Sequence, residues 1–267
     1  MFRQPEIDQQ SKFMSKTLLM IHGMWVGSWC WKNYRQFFQQ RGWQVITPDL
    51  PYHGLSIRTP DHRLATASIQ DYLSFLRKEI NQLDEKPVVI GHSLGGLLAQ
   101  MLAAEDLVEK AVLLTPAAPA GIFTIRPSVL RIFAPIMLMP NFWQEAIPTT
   151  YSLAKYAILN RIDNEKQSHD IFDKIGYESG RVLFEVGYWA LDTQRTTHIN
   201  AQDIQCPMLI LSAADDHIMP ASVVFDIWLK YQHCAEYRCL DNHAHWLIEE
   251  TGWEKIAQDI QQWLEKN

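Results

Sequence analysis

Short apolar runs alternate with segments of helical periodicity along most of this chain. The first apolar runs cover residues 17–22 and 43–48, and a tryptophan-rich helical segment from about residue 28 to 41 separates them. Continuous apolar runs are typical of strands that are buried on both faces of a sheet. Strands that alternate with helices favour a mainly parallel sheet built from β-α-β units.

The pattern continues with a well-marked amphipathic helix. Six apolar residues fall on one face of it: Ile69, Tyr72, Leu73, Leu76, Ile80 and Leu83. Ser68, with Asp71 three residues later, can cap its first turn. A buried strand at 87–91, a helix at 94–104 and a strand at 108–115 follow directly.

The same alternation resumes near the C-terminal end. Strands are predicted at 207–212 and about 236–240, and a helix at 221–231 lies between them. A last helix carries its apolar face on Trp253, Ile256, Ile260, Trp263 and Leu264. The predicted fold class is therefore α/β, a doubly wound, mainly parallel sheet with helices on both sides.

Between about residues 116 and 205 the alternation breaks. The segment carries several prolines, namely Pro116, Pro119, Pro127, Pro135, Pro140 and Pro148. It is too apolar for disorder, as its central run shows: Ile132, Phe133, Ile136, Met137, Leu138, Met139, Phe142 and Trp143. A long insertion between two strands is then a functional cap. We predict an N-terminal extension over 1–16, a core formed by 17–121 and 205–267, and a mostly helical cap over 122–204.

Composition narrows the range of partners. The chain has 267 residues, 47% of them hydrophobic and 20% charged, with a net charge of −6. Lysines and arginines are scattered, which argues against a nucleic-acid surface. The polar N-terminus lacks a signal-peptide core, and no apolar stretch is long enough for a membrane helix. We expect a soluble protein of the cytoplasm, with neither nucleic acid nor a membrane as a stable partner.

The four cysteines do not suggest metal chemistry. Cys30, Cys206, Cys234 and Cys239 form no CxxC pair and no metal-ligand spacing, so packing in a reducing compartment is the expected role. No metal and no cofactor are predicted.

The segment Gly91-His-Ser-Leu-Gly-Gly96 is the strongest chemical signal in the chain. It follows a buried strand and opens a helix, the context that a nucleophile elbow requires. Glycines on both sides of Ser93 are needed because a Cβ there would clash where strand and helix meet. The helix N-terminus also directs backbone N–H groups towards a developing oxyanion. Ser93 is the predicted nucleophile.

A general base and an acid are expected later in the chain, in the order Ser, Asp, His. Asp215 and Asp216 both follow the strand that ends near residue 212, and either can instead be a turn residue. His243 and His245 both lie in the loop before the last helix. The base must take the serine proton through one ring nitrogen while the acid holds the other ring N–H. Position alone leaves both choices open.

With these pieces in view, the chain resembles the α/β-hydrolase superfamily over nearly its whole length. The matching segments are His22-Gly23, Pro48-Asp-Leu-Pro-Tyr-His-Gly54, the Ser93 turn, Asp216-His-Ile-Met-Pro220 and His245-Trp-Leu-Ile-Glu249. In that family the acid precedes the proline by four residues, and the catalytic histidine comes directly before an apolar stretch ending in Glu. The resemblance thus selects Asp216 and His245, and it implies that the backbone N–H groups of Met24 and Leu94 form the oxyanion hole.

The segment His22-Gly-Met-Trp-Val-Gly-Ser-Trp-Cys-Trp31 also resembles the tryptophan-rich start of the plant methyl-esterase and hydroxynitrile-lyase branch and its bacterial relatives. The lyases have Thr where Gly23 stands and Lys where Trp246 stands, so both departures speak against cyanohydrin chemistry. Ser93 in place of Asp speaks against the haloalkane dehalogenase and epoxide hydrolase branches.

The expected function is hydrolysis of a carboxylic ester of a small to medium, largely apolar substrate through an acyl-enzyme. Hydrolysis of a carbon–carbon bond in a diketone-like substrate is an alternative that the superfamily performs with the same triad. A ligand receptor on the same fold, with incidental turnover, is another. Candidate pocket residues are Trp25, Phe133, Met137, Met139 and Trp143.

Overall fold

A six-stranded parallel sheet forms the centre of the structure, a computed structural model that describes residues 16–54 and 59–267. The predicted N-terminal extension, apart from residue 16, lies outside the described residues. The strands of this sheet are β1 (Thr17–Ile21), β2 (Gln44–Ile46), β3 (Val88–His92), β4 (Lys110–Leu114), β7 (Met208–Ala213) and β8 (Ala235–Leu240). Two further strands, β5 (Ala146–Pro148) and β6 (Tyr177–Ser179), pair with each other outside it. The sheet order is β2-β1-β3-β4-β7-β8 and every pair in it is parallel. The predicted fold class is confirmed.

Some helices lie beside this sheet, and others belong to the insertion between β4 and β7. They are α1 (Lys32–Gln39), α2 (Ile69–Ile80), α3 (Leu94–Ala104), α4 (Pro127–Met137), α5 (Tyr151–Ala157), α6 (Glu165–Phe172), α7 (Gly180–Gly187), α8 (Ala221–Tyr231) and α9 (Trp253–Lys266). The capping box predicted from Ser68 and Asp71 is present at the start of α2. In the described part of the chain, no helix is both long and apolar enough to cross a membrane.

The burial of the strands explains why some were easier to predict than others. Every residue of β3, β4 and β7 is buried, and their sequences are the continuous apolar runs that the pattern picked out. The edge strands β2 and β8 are only half-buried, so their signal is weaker. Strand order reverses after β2, and right-handed crossovers then put α1 on one face of the sheet and α2 and α3 on the other. Loops that follow β1, β3, β7 and β8 meet at the carboxyl edge.

Residues 122–204, which lie between β4 and β7 in the chain, are called the insert segment below. It contains α4 to α7, as a helical pattern predicts, and also the antiparallel pair β5–β6. The pair was not predicted, because three-residue strands are too short to show alternation. Its helices begin at side-chain caps in several places, including Thr150 before α5 and Ser179 before α7.

Candidate active site

Ser93 lies in the tight turn between β3 and α3. Its backbone has φ +54° and ψ −117°, a conformation that residues other than glycine rarely adopt. A Cβ on Gly91 would overlap the carbonyl oxygen of Gly95, and a Cβ on Gly95 would overlap that of Ile21. Strand and helix can therefore approach this closely only with glycine on both sides of the serine.

Backbone hydrogen bonds hold the turn in place and leave two donors beside it. The Ser93 N–H donates to the Leu114 carbonyl at 3.0 Å, and the Ser93 carbonyl accepts from the Ala117 N–H at 2.8 Å. In the part of the chain that the structure describes, the N–H groups of Met24 and Leu94 donate to no other protein group. The loop before Met24 runs against the turn, since a Cβ on Gly23 would lie 3.0 Å from the Ser93 Cβ.

Asp216 and His245 form a buried hydrogen-bonded pair. His245 Nδ1 lies 2.8 Å from Asp216 Oδ2. The other oxygen, Oδ1, accepts from the backbone N–H groups of Ile218 and Met219, each at 2.8 Å. A carboxylate held by three hydrogen bonds keeps the imidazole proton on Nδ1. That tautomer leaves Nε2 as the proton acceptor.

The two competing residues from the sequence have other partners. The Arg161 guanidinium donates to the Asp215 carboxylate through Nε at 2.7 Å and also through Nη2. His243 Nδ1 lies 3.1 Å from Glu250 Oε1. The structure thus brings Asp216 and His245 together and directs Asp215 and His243 elsewhere.

Ser93 and His245 border one small space of about 20 Å³, together with Met24 and Trp246. Within the described residues, Ser93 Oγ makes no hydrogen bond to the His245 ring. Nucleophile–base hydrogen bonds are often long in unliganded enzymes and tighten when substrate binds. The arrangement supplies a nucleophile, a base and two backbone donors around one point.

His92 supports this arrangement, and sequence reasoning gave it no role. Its Nε2–H donates to the His245 carbonyl at 2.8 Å, and Thr115 Oγ1 donates to the same oxygen at 3.4 Å. Burial, together with the neighbouring His245, lowers the pKa of His92 to about 3, so the ring stays neutral. A polar residue that ends a fully buried strand was the available signal.

His22 has a similar position on the other side of the site. Its Nε2 accepts from the Leu50 N–H at 2.9 Å, and its Nδ1–H donates to the Gly23 carbonyl at 2.8 Å. Burial, with His53 beside it, lowers the pKa of His22 to about 4. A neutral His22 therefore ties the loop before Met24 to the loop after β2.

A cavity of about 130 Å³ opens beside Ser93. The insert segment contributes Thr124, Ile125, Val129, Leu130, Phe133, Ala134, Ile136, Met137, Leu183, Val186 and Gly187 to its lining. The core contributes Met24, Ser93, Ala117, Ala118, Ile218 and Met219. Among these residues only Ser93 and Thr124 have polar side chains, and none is charged. Such a space suits an apolar group.

The predicted pocket residues divide into two groups. Phe133 and Met137 line the 130 Å³ cavity, and Trp25 borders the small space next to it. Met139 and Trp143 are not among the lining residues of either. Met139 is 46% exposed, and Trp143 packs against Phe142 and Phe184. Because α4 ends at Met137, its inner face does not extend to these positions.

The described residues offer no group of three or more His, Cys, Asp or Glu side chains that could hold a metal ion. Among the described residues, the four cysteines all have free thiols.

A comparison with models of protein families identifies one family for this chain. A sequence model described as the alpha/beta hydrolase family matches residues 18–259. An (E)-2-((N-methylformamido)methylene)succinate hydrolase from Acinetobacter baylyi is 24% identical, over 93% of this chain and 90% of its own length.

Two solved structures share the fold at low identity. A methylesterase from Arabidopsis superposes with a TM-score of 0.69 at 13% identity, covering 94% of this chain and 100% of that one. A pyrethroid hydrolase from Sphingobium faniae gives 0.69 at 19% identity, covering 94% and 98%.

Proposed function

Because this chain belongs to the alpha/beta hydrolase family, we propose that it is a serine hydrolase that cleaves carboxylic esters of small to medium, largely apolar substrates. The observation that carries the proposal is the buried hydrogen bond from His245 to Asp216, placed beside Ser93 at the end of an apolar cavity. Ser93 acts as nucleophile, His245 as general base and Asp216 as the acid that orients the imidazole.

In the first half of the reaction, Ser93 Oγ attacks the ester carbonyl carbon while His245 Nε2 takes the hydroxyl proton. The carbonyl oxygen becomes an oxyanion, which accepts hydrogen bonds from the backbone N–H groups of Met24 and Leu94. Collapse of this intermediate breaks the carbon–oxygen bond to the alcohol. His245 gives its proton to the leaving oxygen, and the acyl group remains on Ser93.

In the second half, water attacks the acyl carbon and His245 takes one of its protons. The second tetrahedral intermediate collapses, the Ser93 oxygen leaves, and His245 returns the proton to it. The products are a carboxylic acid and free enzyme. Every proton is carried by residues of this chain, so the proposed cycle needs no metal and no cofactor.

We further propose that the insert segment is the cap of the site. Two of its helices, α4 and α7, supply most of the lining of the 130 Å³ cavity, whereas the core supplies Ser93 and its neighbours. A cap in this position excludes water and sets the shape of the substrate.

The lining of the cavity also bears on whether this chain takes the kind of substrate named for its Acinetobacter relative. The name of that enzyme specifies a succinate, and a succinate carries two carboxylates. Burying carboxylates among apolar side chains costs free energy unless charged or hydrogen-bonding partners pair with them. The described lining of this cavity contains no Lys or Arg. We propose that this chain takes an uncharged substrate.

A panel of p-nitrophenyl esters of graded acyl length tests the proposal, run beside a diketone that reports carbon–carbon hydrolysis. We expect ester turnover with kcat/KM rising through the short chains, and labelling of Ser93 by a fluorophosphonate. Turnover of the diketone alone would favour the carbon–carbon reaction instead. A protein that binds the esters but turns over none of them would be a receptor.

A further inference from the structure

Trp25, which directly follows the proposed oxyanion residue Met24, has a strained backbone. Its φ of +63° lies in the left-handed region, and its side chain is almost fully buried. A bulky residue pays free energy for this conformation and keeps it only when surrounding contacts hold it there. The strain therefore directs attention to what holds Trp25.

Among the described residues, two hydrogen bonds and one ring contact hold Trp25, and all of them come from the insert segment. The indole Nε1–H donates to the Ile147 carbonyl in β5 at 2.9 Å. The Trp25 carbonyl accepts from the Gly176 N–H at 2.8 Å. The indole ring stacks on Phe133 of α4, with 6.1 Å between ring centroids and 23° between planes. Backbone and side chain of Trp25 are thus both bound to the same segment.

The contacts on either side of Met24 come from different parts of the molecule. On its N-terminal side, His22 and Gly23 are held by core residues, and Gly23 lies against Ser93. On its C-terminal side, Trp25 is held by the insert segment. The direction of the Met24 N–H depends on both, since the intervening peptide units are short and stiff.

We propose that Trp25 is a positioning residue through which the insert segment aligns the Met24 N–H with the oxyanion. This inference rests on the proposed function, because it needs Met24 to act as an oxyanion donor. It gives the insert segment a part in the reaction rate, in addition to its part in the shape of the pocket. A substrate or variant that shifts the segment would change the rate through the same contacts.

Trp25→Phe tests the inference, because it removes the indole donor and keeps a ring to stack on Phe133. We expect kcat to fall about tenfold with little change in KM, less than the roughly 10²–10³-fold cost of deleting an oxyanion donor. The affinity of a trifluoromethyl ketone should fall by the same factor, because its adduct places an oxyanion in the same position. Trp43→Phe is the matched control, since it removes an indole hydrogen bond to Gln261 far from the site.

Trp25→Gly provides a second measurement should Trp25→Phe fold poorly. Glycine adopts φ +63° without strain, so the loop can keep its shape while losing the contacts made by the indole. We expect kcat and trifluoromethyl ketone affinity to fall about 10²-fold together.

A purely structural role would lower the melting temperature of both Trp25 variants and leave kcat and ketone affinity at the level of Trp43→Phe. That result would overturn the positioning role while leaving the proposed function intact. A wild-type protein with neither ester turnover nor fluorophosphonate labelling would overturn both, so the two failures are distinguishable.

Discussion

The central sheet and the insert segment differ in what holds each of them in place. In the sheet, β3 and β4 are buried along their whole length, and their apolar side chains pack against helices on both faces. Such packing is non-directional and spread over many residues. It tolerates changes that conserve volume.

The insert segment also packs apolar side chains against the core, and in addition it makes buried polar contacts with it. Glu178 of β6 is fully buried, accepts from the Tyr72 hydroxyl at 2.8 Å and lies 3.3 Å from His53 Nε2. Glu185 of α7 accepts from the Ile69 N–H at 2.8 Å. These contacts are directional, and the loss of one partner leaves the other buried without compensation. The comparison teaches that the proposed catalytic groups lie on a scaffold held largely by apolar packing, whereas the insert segment adds buried carboxylates whose partners are costly to remove.

From this comparison we first predict that only changes in the loops of the core abolish ester hydrolysis. Ser93→Ala should abolish ester hydrolysis and fluorophosphonate labelling, because the nucleophile itself is removed. A residual rate of about 10³–10⁴-fold over water should remain from binding and the oxyanion hole. Steady-state kinetics measure the residual rate, and active-site titration with a fluorophosphonate measures the labelling. Stoichiometric labelling of another serine in the variant would show that the nucleophile is wrongly assigned.

The next largest effect on activity should come from Asp216, and the adjacent carboxylate of Asp215 provides the control. Asp216→Asn should lower kcat about 10⁴-fold, because an amide cannot hold the imidazole tautomer that leaves Nε2 free. Asp215→Asn loses only its partly exposed pair with Arg161 and should retain most of the activity. Steady-state kinetics on both folded proteins make the comparison. Equal losses would refute the choice of Asp216.

The buried contact between core and insert segment should dominate stability. Burial favours a neutral His53, but the Glu178 carboxylate outweighs it and raises the pKa of His53 above 6.5. Burial likewise opposes a charged Glu178, yet His53 and the hydrogen-bond donors lower the pKa of Glu178 below 4.5. Glu178→Gln should therefore reduce the free energy of unfolding by about 3 kcal/mol.

The pH dependence of that loss in stability follows from the directions of the two pKa shifts, upward for His53 and downward for Glu178. The contribution of Glu178 disappears as pH falls through its lowered pKa, and that of His53 disappears as pH rises through its raised pKa. The difference between wild type and Glu178→Gln should be largest between pH 4.5 and 6.5. Urea titrations across this range measure it. Glu105→Gln, which breaks a half-exposed pair with Arg77 in the core, is the control and should change stability little. A loss that is independent of pH would mean that the pair is not charged.

The smallest effect should be on selectivity. Ala134 of α4 lines the 130 Å³ cavity, so Ala134→Trp should shorten the space for the acyl chain. We expect kcat/KM for long esters relative to short ones to fall about tenfold, since each methylene in a hydrophobic pocket carries discrimination of this order. Labelling by a small fluorophosphonate should be nearly unchanged. Leu138→Trp, at an exposed position on the same segment, is the control. Equal selectivity in both variants would show that α4 does not border the bound substrate.

Much of the fold could be predicted because its signals are local. The apolar run at 87–91 and the helix beginning at Leu94 predicted β3 and α3 closely, and Ser68 with Asp71 predicted the cap of α2. The short strands β5 and β6 escaped prediction, because three residues carry no usable period. Met139 and Trp143 illustrate another limit: hydrophobicity marked them for the pocket, yet the end of α4 leaves them outside its lining.

The sequence by itself determined the alternation of strands and helices and the tight turn at Ser93, because periodicity and the need for glycine act between near neighbours in the chain. Position in the chain did not separate Asp216 from Asp215 or His245 from His243; there the resemblance made the selection. Only the tertiary structure showed that Arg161 and Glu250 engage the two competitors. It also placed His92 beneath His245 and bound Trp25 to β5 and α4. These contacts join residues that are distant in the chain, and their geometry exists only after the sheet and the insert segment have packed together.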